Sequence, residues 1–280
     1  MSKKRDGRLW TAGLDGAFAG RGTGNLAAQK LLPTSPTVKV APNLWMLKIG
    51  GQSIMDRGRS AVFPIIEELV KANEEGIQFI VGVGGGTRAR HAYALGLDIG
   101  MPTGSLARLG ARIPLQNARM LQILMAQYNG MMIYHDHEDL EKLPLYLAAK
   151  CIPIMSAMPP FGFWEKTPAV GRLPENRSDA GVYLLAEFLG AKGMIFIKDE
   201  DGLYTADPKK DPDATFIAEA DAKDLLDSGK DDLIVERVIL GYMLRARNVR
   251  EIRIINGLKP GQVLAALRGE AIGTTIRAGR

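Results

Sequence analysis

Short apolar runs that close on glycine or a turn, each followed by a stretch with helical spacing, recur along the chain from residue 42 onward. "NLWMLKIGG" ends in paired glycines, and "SAVFPIIEELVKANEEG" then repeats apolar positions at the intervals of an amphipathic helix. "IQFIVGVGGG" is a second buried-type strand ending in glycine. Helical stretches follow, among them "LQNARMLQILMAQYNG", and then strands in "MMIYH" and "CIPIMSA". "DAGVYLLAEFLGA" predicts a helix, "GMIFIK" a strand, "ADAKDLLDSG" and "VERVILGYMLRARN" helices, and "REIRIING" a strand before "GQVLAALRGEAIGTTI". Strands alternating with helices predict an α/β fold whose mainly parallel sheet is covered on both faces.

Three regions fall outside this rhythm. Residues 1–41 are rich in Gly, Ala, Lys and Arg without lasting periodicity and read as an N-terminal extension ahead of a domain spanning 42–280. Residues 159–178, "PPFGFWEKTPAVGRLPENRS", hold four prolines and no apolar period, which predicts a long loop of the kind that is often functional. "DEDGLYTADPKKDPDAT" is dense in turn residues.

Composition narrows the function classes. Apolar residues make up 46% and charged residues 24% of the chain, an ordinary globular balance. The formal charge of +5 comes from lysines and arginines spread along the chain without interleaved aromatics. That pattern argues against nucleic acid and is met as well by a small anionic ligand. The single cysteine, Cys151, permits no internal disulfide and suits a reducing compartment. "SKKR" at the N-terminus is followed by no apolar signal region, and no run reaches the roughly 18 apolar residues of a membrane span. A cytoplasmic protein is expected.

In parallel sheets ligands gather at the carboxyl ends of strands, so "KIGGQS" and "GVGGGTRAR" are the first places to look. Consecutive glycines let the backbone approach a ligand and aim N–H groups at it, and a following helix adds its positive end; both features fit phosphate or another oxyanion. Tight strand-to-helix turns are the structural alternative. The common nucleotide fingerprints fail: position 87 is threonine where the dinucleotide pattern needs glycine, and no G-x-x-x-x-G-K-[ST] occurs. Lys48, two residues before Gly50, can neutralise charge on a transferring phosphoryl group, or can be a solvated lysine at a strand end. Asp179 opens a helix, where it can act as N-cap, hold Lys48, or hold Mg²⁺.

The ordered set "KIGG", "GVGGG", "SDAG", "DGLYTADPKKDPDAT", "INGLKPG" and "GEAIGTTI", spread over residues 42–277, resembles the signatures of the amino acid kinase superfamily, in particular uridylate kinases. The resemblance implies a three-layer αβα sandwich with ATP over the C-terminal half and an acceptor over the N-terminal half. It implies Lys48 on the β and γ phosphates, Gly50 and Gly51 as backbone donors to them, and Asp179 near Mg²⁺. Asp201, Gly202, Tyr204, Asp207 and Pro208 would surround the nucleoside, while Gly84, Gly85, Gly86 and Arg90 line the acceptor side. Lys198, in "FIKDEDG" where the kinases read "KATKVDG", stands out of register with the kinase lysines and is grouped with the nucleotide-binding residues.

The acceptor half departs from the uridylate pattern. "LQNARM" puts Gln116 or Asn117 where those kinases read ribose with an aspartate, and the loop before Asp179 is longer and different. "KIGGQSIMDRGRSAVFP", "GTRARHAYALGLDIGMPTGSLARLG", "MPPFGFW" and "GMIFIKDEDGLYTADP" resemble a smaller branch, the molybdenum storage proteins and above all their β subunits. That branch implies a hexameric cage, built with a homologous α-type subunit or copies of the same chain. In such a cage MgATP drives the deposition of molybdate or tungstate as polyoxometalate clusters.

His91 follows Arg88 and Arg90 after the glycine loop, as a structural residue or an anion contact. His135 and His137, which share a face if their segment is a strand, are metal or oxometalate candidates; a solvated, acid-rich loop is the alternative. The rival functions are a true phosphotransferase, uridylate kinase included, and a nucleotide-binding scaffold. Lys48→Ala is expected to impair ATP-dependent loading while leaving the fold intact, on the ground that a residue at a loop mouth carries little core packing.

Overall fold

The computed structural model describes residues 38–135, 138–159, 172–230 and 233–279. Residues Lys39–Arg280 form one compact unit. The expected extension, as far as residue 37, lies outside the described residues, as does the centre of the proline-rich loop, 160–171. The amides of Val40 and Ala41 donate to Leu189 O at 2.9 and 2.8 Å, so the chain already belongs with the domain there.

The strands read from the pattern are present: β1 (Trp45–Ile49), β2 (Phe79–Val83), β3 (Gly130–Met132), β4 (Ile152–Ser156) and β5 (Gly193–Lys198). So is β9 (Glu251–Asn256), the strand read in "REIRIING"; beyond these lie β6 (Leu203–Tyr204), β7 (Phe216–Ile217), β8 (Glu219–Asp221) and β10 (Thr274–Arg277). The main sheet has eight strands in the order β3-β4-β2-β1-β5-β9-β10-β8, and β6 and β7 form a separate pair. Every pairing in the main sheet is parallel except β9 with β10.

Each of β1, β2, β4 and β5 is buried along its whole length, which is why these strands read as continuous apolar runs. Alternate side chains feed two cores. Trp45, Leu47, Ile49, Val81, Ile195 and Ile197 pack with helices α1 (Arg59–Glu74) and α3 (Thr103–Met125) and with α8 (Gln262–Arg268). Met46, Ile80, Met194, Phe196 and Ile252 pack on the other face with α5 (Ser178–Leu189) and α7 (Val238–Met243), the flank of which carries α4 (Leu143–Ala148) and α6 (Ala222–Asp227). The result is the three-layer αβα sandwich. Helix α2 (Gly86–Asp98) lies outside this plan and packs on α3 through Ala89, Tyr93 and Leu106.

The structure differs from the pattern where tertiary contact decides. "MMIYH" is a strand only to Met132: Ile133 N still donates to Ile154 O at 2.9 Å, but Tyr134 N is taken by Asp139 Oδ2 at 3.0 Å, away from β4. "VERVILGYMLRARN" is helical only over Val238–Met243, its first residues being turned aside to meet α5. The stretch "GQVLAALRGEAIGTTI" holds both α8 and β10, a strand seen only through its antiparallel pairing with β9. Helix α5 ends at Gly190 with φ 62°, the left-handed cap that glycine adopts without strain.

Candidate functional site

The chain leaves β1 toward β2 on one side and later toward β5 on the other, so the strand order reverses at β1. The carboxyl ends of β1, β2 and β5 therefore flank a crevice where open α/β sheets bind ligands. The period of two then aims the side chains. Met46 and Phe196 face α5, so Lys48 and Lys198, each two residues further on, emerge on the same face at the top of their strands. Asp179, in the first turn of α5, meets both.

Lys48 Nζ lies 2.6 Å from Asp179 Oδ1, and Lys198 Nζ 3.1 Å from Asp179 Oδ2. All three are nearly sealed from solvent: Lys48 is 5% exposed, Asp179 4% and Lys198 9%. Burial works against the Asp179 carboxylate, but the charges and hydrogen bonds of Lys198 and Lys48 prevail and hold its pKa far below the usual aspartate range. Desolvation is the largest influence on Lys198 and pulls its pKa down, against the opposing charge of Asp179.

These contacts revise three expectations. Asp179 does not cap α5, whose N-cap is Arg177 with no side-chain cap bond. The capping is done from a distance by Glu236, whose carboxylate accepts the N–H groups of Arg177, Asp179 and Ala180 at 3.2, 3.2 and 3.1 Å. Asp179 Oδ2 accepts the amide of Glu236 at 3.3 Å in return. Burial and the charge of Asp179 push the Glu236 carboxyl above its ordinary pKa. Lys48 is not lightly packed at a loop mouth but buried in an ion pair. Lys198, read as out of register, is brought to Asp179 as directly as Lys48.

The two glycine loops touch. A Cβ on Gly51 would sit 2.6 Å from Gly86 Cα and 2.7 Å from Gly85 C, so only glycine permits the approach. Several expected anion donors are already engaged. Gly50 N donates to Ile197 O at 3.1 Å and Gly84 N to Ile49 O at 3.0 Å, so neither amide is available to a phosphate as expected of Gly50. Thr87 N donates to Asp56 Oδ2 at 2.6 Å. Asn117 is fully buried and gives Nδ2 to Gly84 O at 2.7 Å and Gly85 O at 3.2 Å, while its Oδ1 accepts from Arg88. Asn117 thus fixes the loop itself. Arg90 and His91 are exposed on α2.

The expected nucleoside segment begins three residues after Lys198. Asp201 is held by Lys259 Nζ at 2.7 Å and by Asn256 Nδ2 at 3.0 Å, from the end of β9, and Tyr204 Oη reaches it at 3.5 Å. Gly202 is buried, and Asp207 closes the turn that contains Pro208 by accepting Lys209 N at 3.0 Å. Lys209 also reaches back to Asp199 at 2.9 Å, and Arg57 meets the same carboxylate at 2.7 Å from the β1 side.

The histidine pair does not form the expected strand face. His135 lies in a turn and contacts Met158 O, and His137 is outside the described residues. Among the described residues no group of three or more His, Cys, Asp or Glu could hold a metal ion. Glu236 and Asp56 were missed, and Asn117, read as standing where the kinases hold ribose, instead braces the glycine loop. Nothing local marks a carboxylate in one segment as the cap of a helix 57 positions away. Lys198 did carry a signal, the alternation of Met194, Phe196 and Lys198 along one strand face.

The amino acid kinase family model matches residues 43–256. Over 240 residues the chain is 43% identical to the molybdenum storage protein subunit β of Azotobacter vinelandii, covering 86% of this chain and 88% of that one. It is 27% identical over 241 residues to the uridylate kinase of Methanothermobacter thermautotrophicus, covering 82% and 97% of the two chains. Among solved structures, a uridylate kinase from Archaeoglobus fulgidus superposes with a TM-score of 0.63 at 23% identity, over 83% of this chain and 99% of that one. An isopentenyl phosphate kinase superposes with a TM-score of 0.55 at 22% identity, over 84% and 100%. At these identities the structural likeness speaks for the fold alone. The matches over nearly the whole described domain show that the chain belongs to the amino acid kinase family and, within it, to the family of the molybdenum storage protein β subunit.

Proposed function

We propose that this chain is a molybdenum storage subunit that binds MgATP and supports ATP-dependent deposition of molybdate or tungstate as polyoxometalate clusters inside an oligomeric cage. The observation that carries the reading is the 43% identity over 240 residues to a molybdenum storage β subunit, well above the 27% shared with a uridylate kinase. Residues 42–280 form the kinase-type domain in this reading and 1–41 its extension. The partners are a homologous α-type subunit or further copies of the chain, assembled as a hexamer in the cytoplasm. Among the described residues no helix is long and apolar enough to cross a membrane.

The charge balance at the crevice supports an anionic ligand. Two lysines, Lys48 and Lys198, converge there on the single carboxylate of Asp179. A phosphate chain would complete that balance, with Lys48 and Lys198 neutralising it, Asp179 holding both lysines in place, and the Asp201–Pro208 segment against the nucleoside. Both oxygens of Asp179 face ammonium groups, so Asp179 offers Mg²⁺ no unengaged carboxylate oxygen; the ion would enter on the phosphates it neutralises. Bound MgATP supplies the phosphoryl group and the free energy of its hydrolysis.

Elemental analysis of the purified full-length protein after incubation with molybdate and MgATP tests the reading. Many molybdenum atoms per chain are expected, with loading lost on omission of ATP and in Lys48→Ala. No retained metal, together with UMP-dependent ADP formation at enzyme-like rates, would establish the phosphotransferase instead. ATP binding with neither activity would leave a scaffold.

A further inference from the structure

Helix α2 begins directly after the glycine loop, so its positive end and first-turn N–H groups lie beside Gly84–Gly86. That end is already occupied by the chain's own carboxylate. Asp56 Oδ2 accepts Thr87 N at 2.6 Å, and a Cβ on Gly86, whose φ is 71°, would lie 2.5 and 2.7 Å from the two carboxylate oxygens. The carboxylate therefore rests flat on the Cα that glycine leaves bare.

Asp56 is held there by a short 3-10 turn, Met55–Arg57, in which Asp56 N donates to Gly51 O at 2.9 Å. The next residue, Arg57, anchors the turn on the other side of β1 through Asp199. The turn thus straps the crevice from the β2 side to the β5 side. Its carboxylate is tethered, so it competes for the helix end at an effective concentration that a free anion must exceed. Arg88, two residues after Gly86, gives its guanidinium to Asn117 Oδ1.

We propose that Asp56 is a specificity determinant that closes the N-terminus of α2 to phosphate-bearing acceptors. A phosphate monoester at this end would have to displace Asp56 from the Thr87 amide and then face its charge at close range. Neutral acceptors meet no such penalty. This inference concerns the acceptor half alone and stands independently of the storage reading and of ATP.

Equilibrium dialysis of the full chain with inorganic phosphate, UMP and uridine tests it, using the wild type, Asp56→Ala and Asp56→Asn. The asparagine keeps an oxygen for the Thr87 amide and removes only the charge, so it decides the matter if the alanine variant fails to fold by circular dichroism. Phosphate and UMP are expected to bind at least about tenfold more tightly to Asp56→Asn than to the wild type, a difference of about 1.4 kcal/mol. Uridine should be unaffected. Adding Thr87→Pro, which removes the N–H at a first-turn position where proline is tolerated, should abolish the gain. No gain in the folded variants, an equal gain for uridine, or a gain that survives Thr87→Pro would overturn the proposal.

Discussion

Asp179 shows how much one carboxylate can organise when it is buried between two cations. Its contacts at 2.6 and 3.1 Å order both buried lysines at the carboxyl ends of β1 and β5. Truncating one partner of such a buried arrangement leaves uncompensated charge behind, which typically costs about 3–5 kcal/mol. Asp179→Asn is therefore expected to lower the unfolding free energy by about that amount in urea titrations while leaving the α5 segment its side-chain shape; a loss under about 1 kcal/mol would mean that the lysines find water instead. At this scale the sequence was partly legible. Lys48 and Asp179 stood out by position, and holding Lys48 was one of the roles read for Asp179; that Lys198 joins them follows from strand alternation combined with the seating of α5.

At the scale of elements, the crevice is built from turns rather than from the helices and strands they join. The β1 and β2 loops lie against each other at Gly51 and Gly86, with backbone meeting backbone. Neither atom set can yield as a flexible side chain would. Gly51→Ala is expected to cost about 1–3 kcal/mol, as other overpacking changes do, and to separate the two loops. Thermal unfolding with crystallography of the variant would check both parts, and an unshifted Tm with an unmoved loop would refute the close packing. Glycine runs made these loops visible in the sequence. That their amides are spent on Ile197, Ile49 and Asp56 rather than open to a ligand was not visible, because each acceptor lies on a different element.

For the whole molecule, the interlock of Asp179 with Glu236 ties α5 to a segment 57 residues away and gives stability a definite pH dependence. The folded-state pKa of Asp179 is depressed, so its contribution is complete above its ordinary value of 3.8 and is lost only as pH falls well below it. Glu236 has the opposite sign. Its folded pKa is raised, so its contribution is present below its ordinary 4.5 and is lost as pH rises through the elevated value. The stability of the wild type relative to Glu236→Gln should therefore decline as pH climbs from below 4.5 toward neutrality. Urea unfolding of both proteins across that range measures it, and a constant difference would remove Glu236 from the account.

The sequence by itself determined the α/β class, the places of the buried strands along the chain, the glycine loops at their ends and the family, because burial on both faces and tight turns each demand residue types that show locally. What only the tertiary structure decided is which groups meet. The reversal of strand order at β1 brings Lys48 beside Lys198, and the seating of α5 puts Asp179 over both. Glu236 becomes the cap of a distant helix, and Asp56 fills the helix end that the glycine loop had marked for an anion. Charge and hydrogen-bond partners depend on distance in space, and no periodicity along a chain encodes that distance.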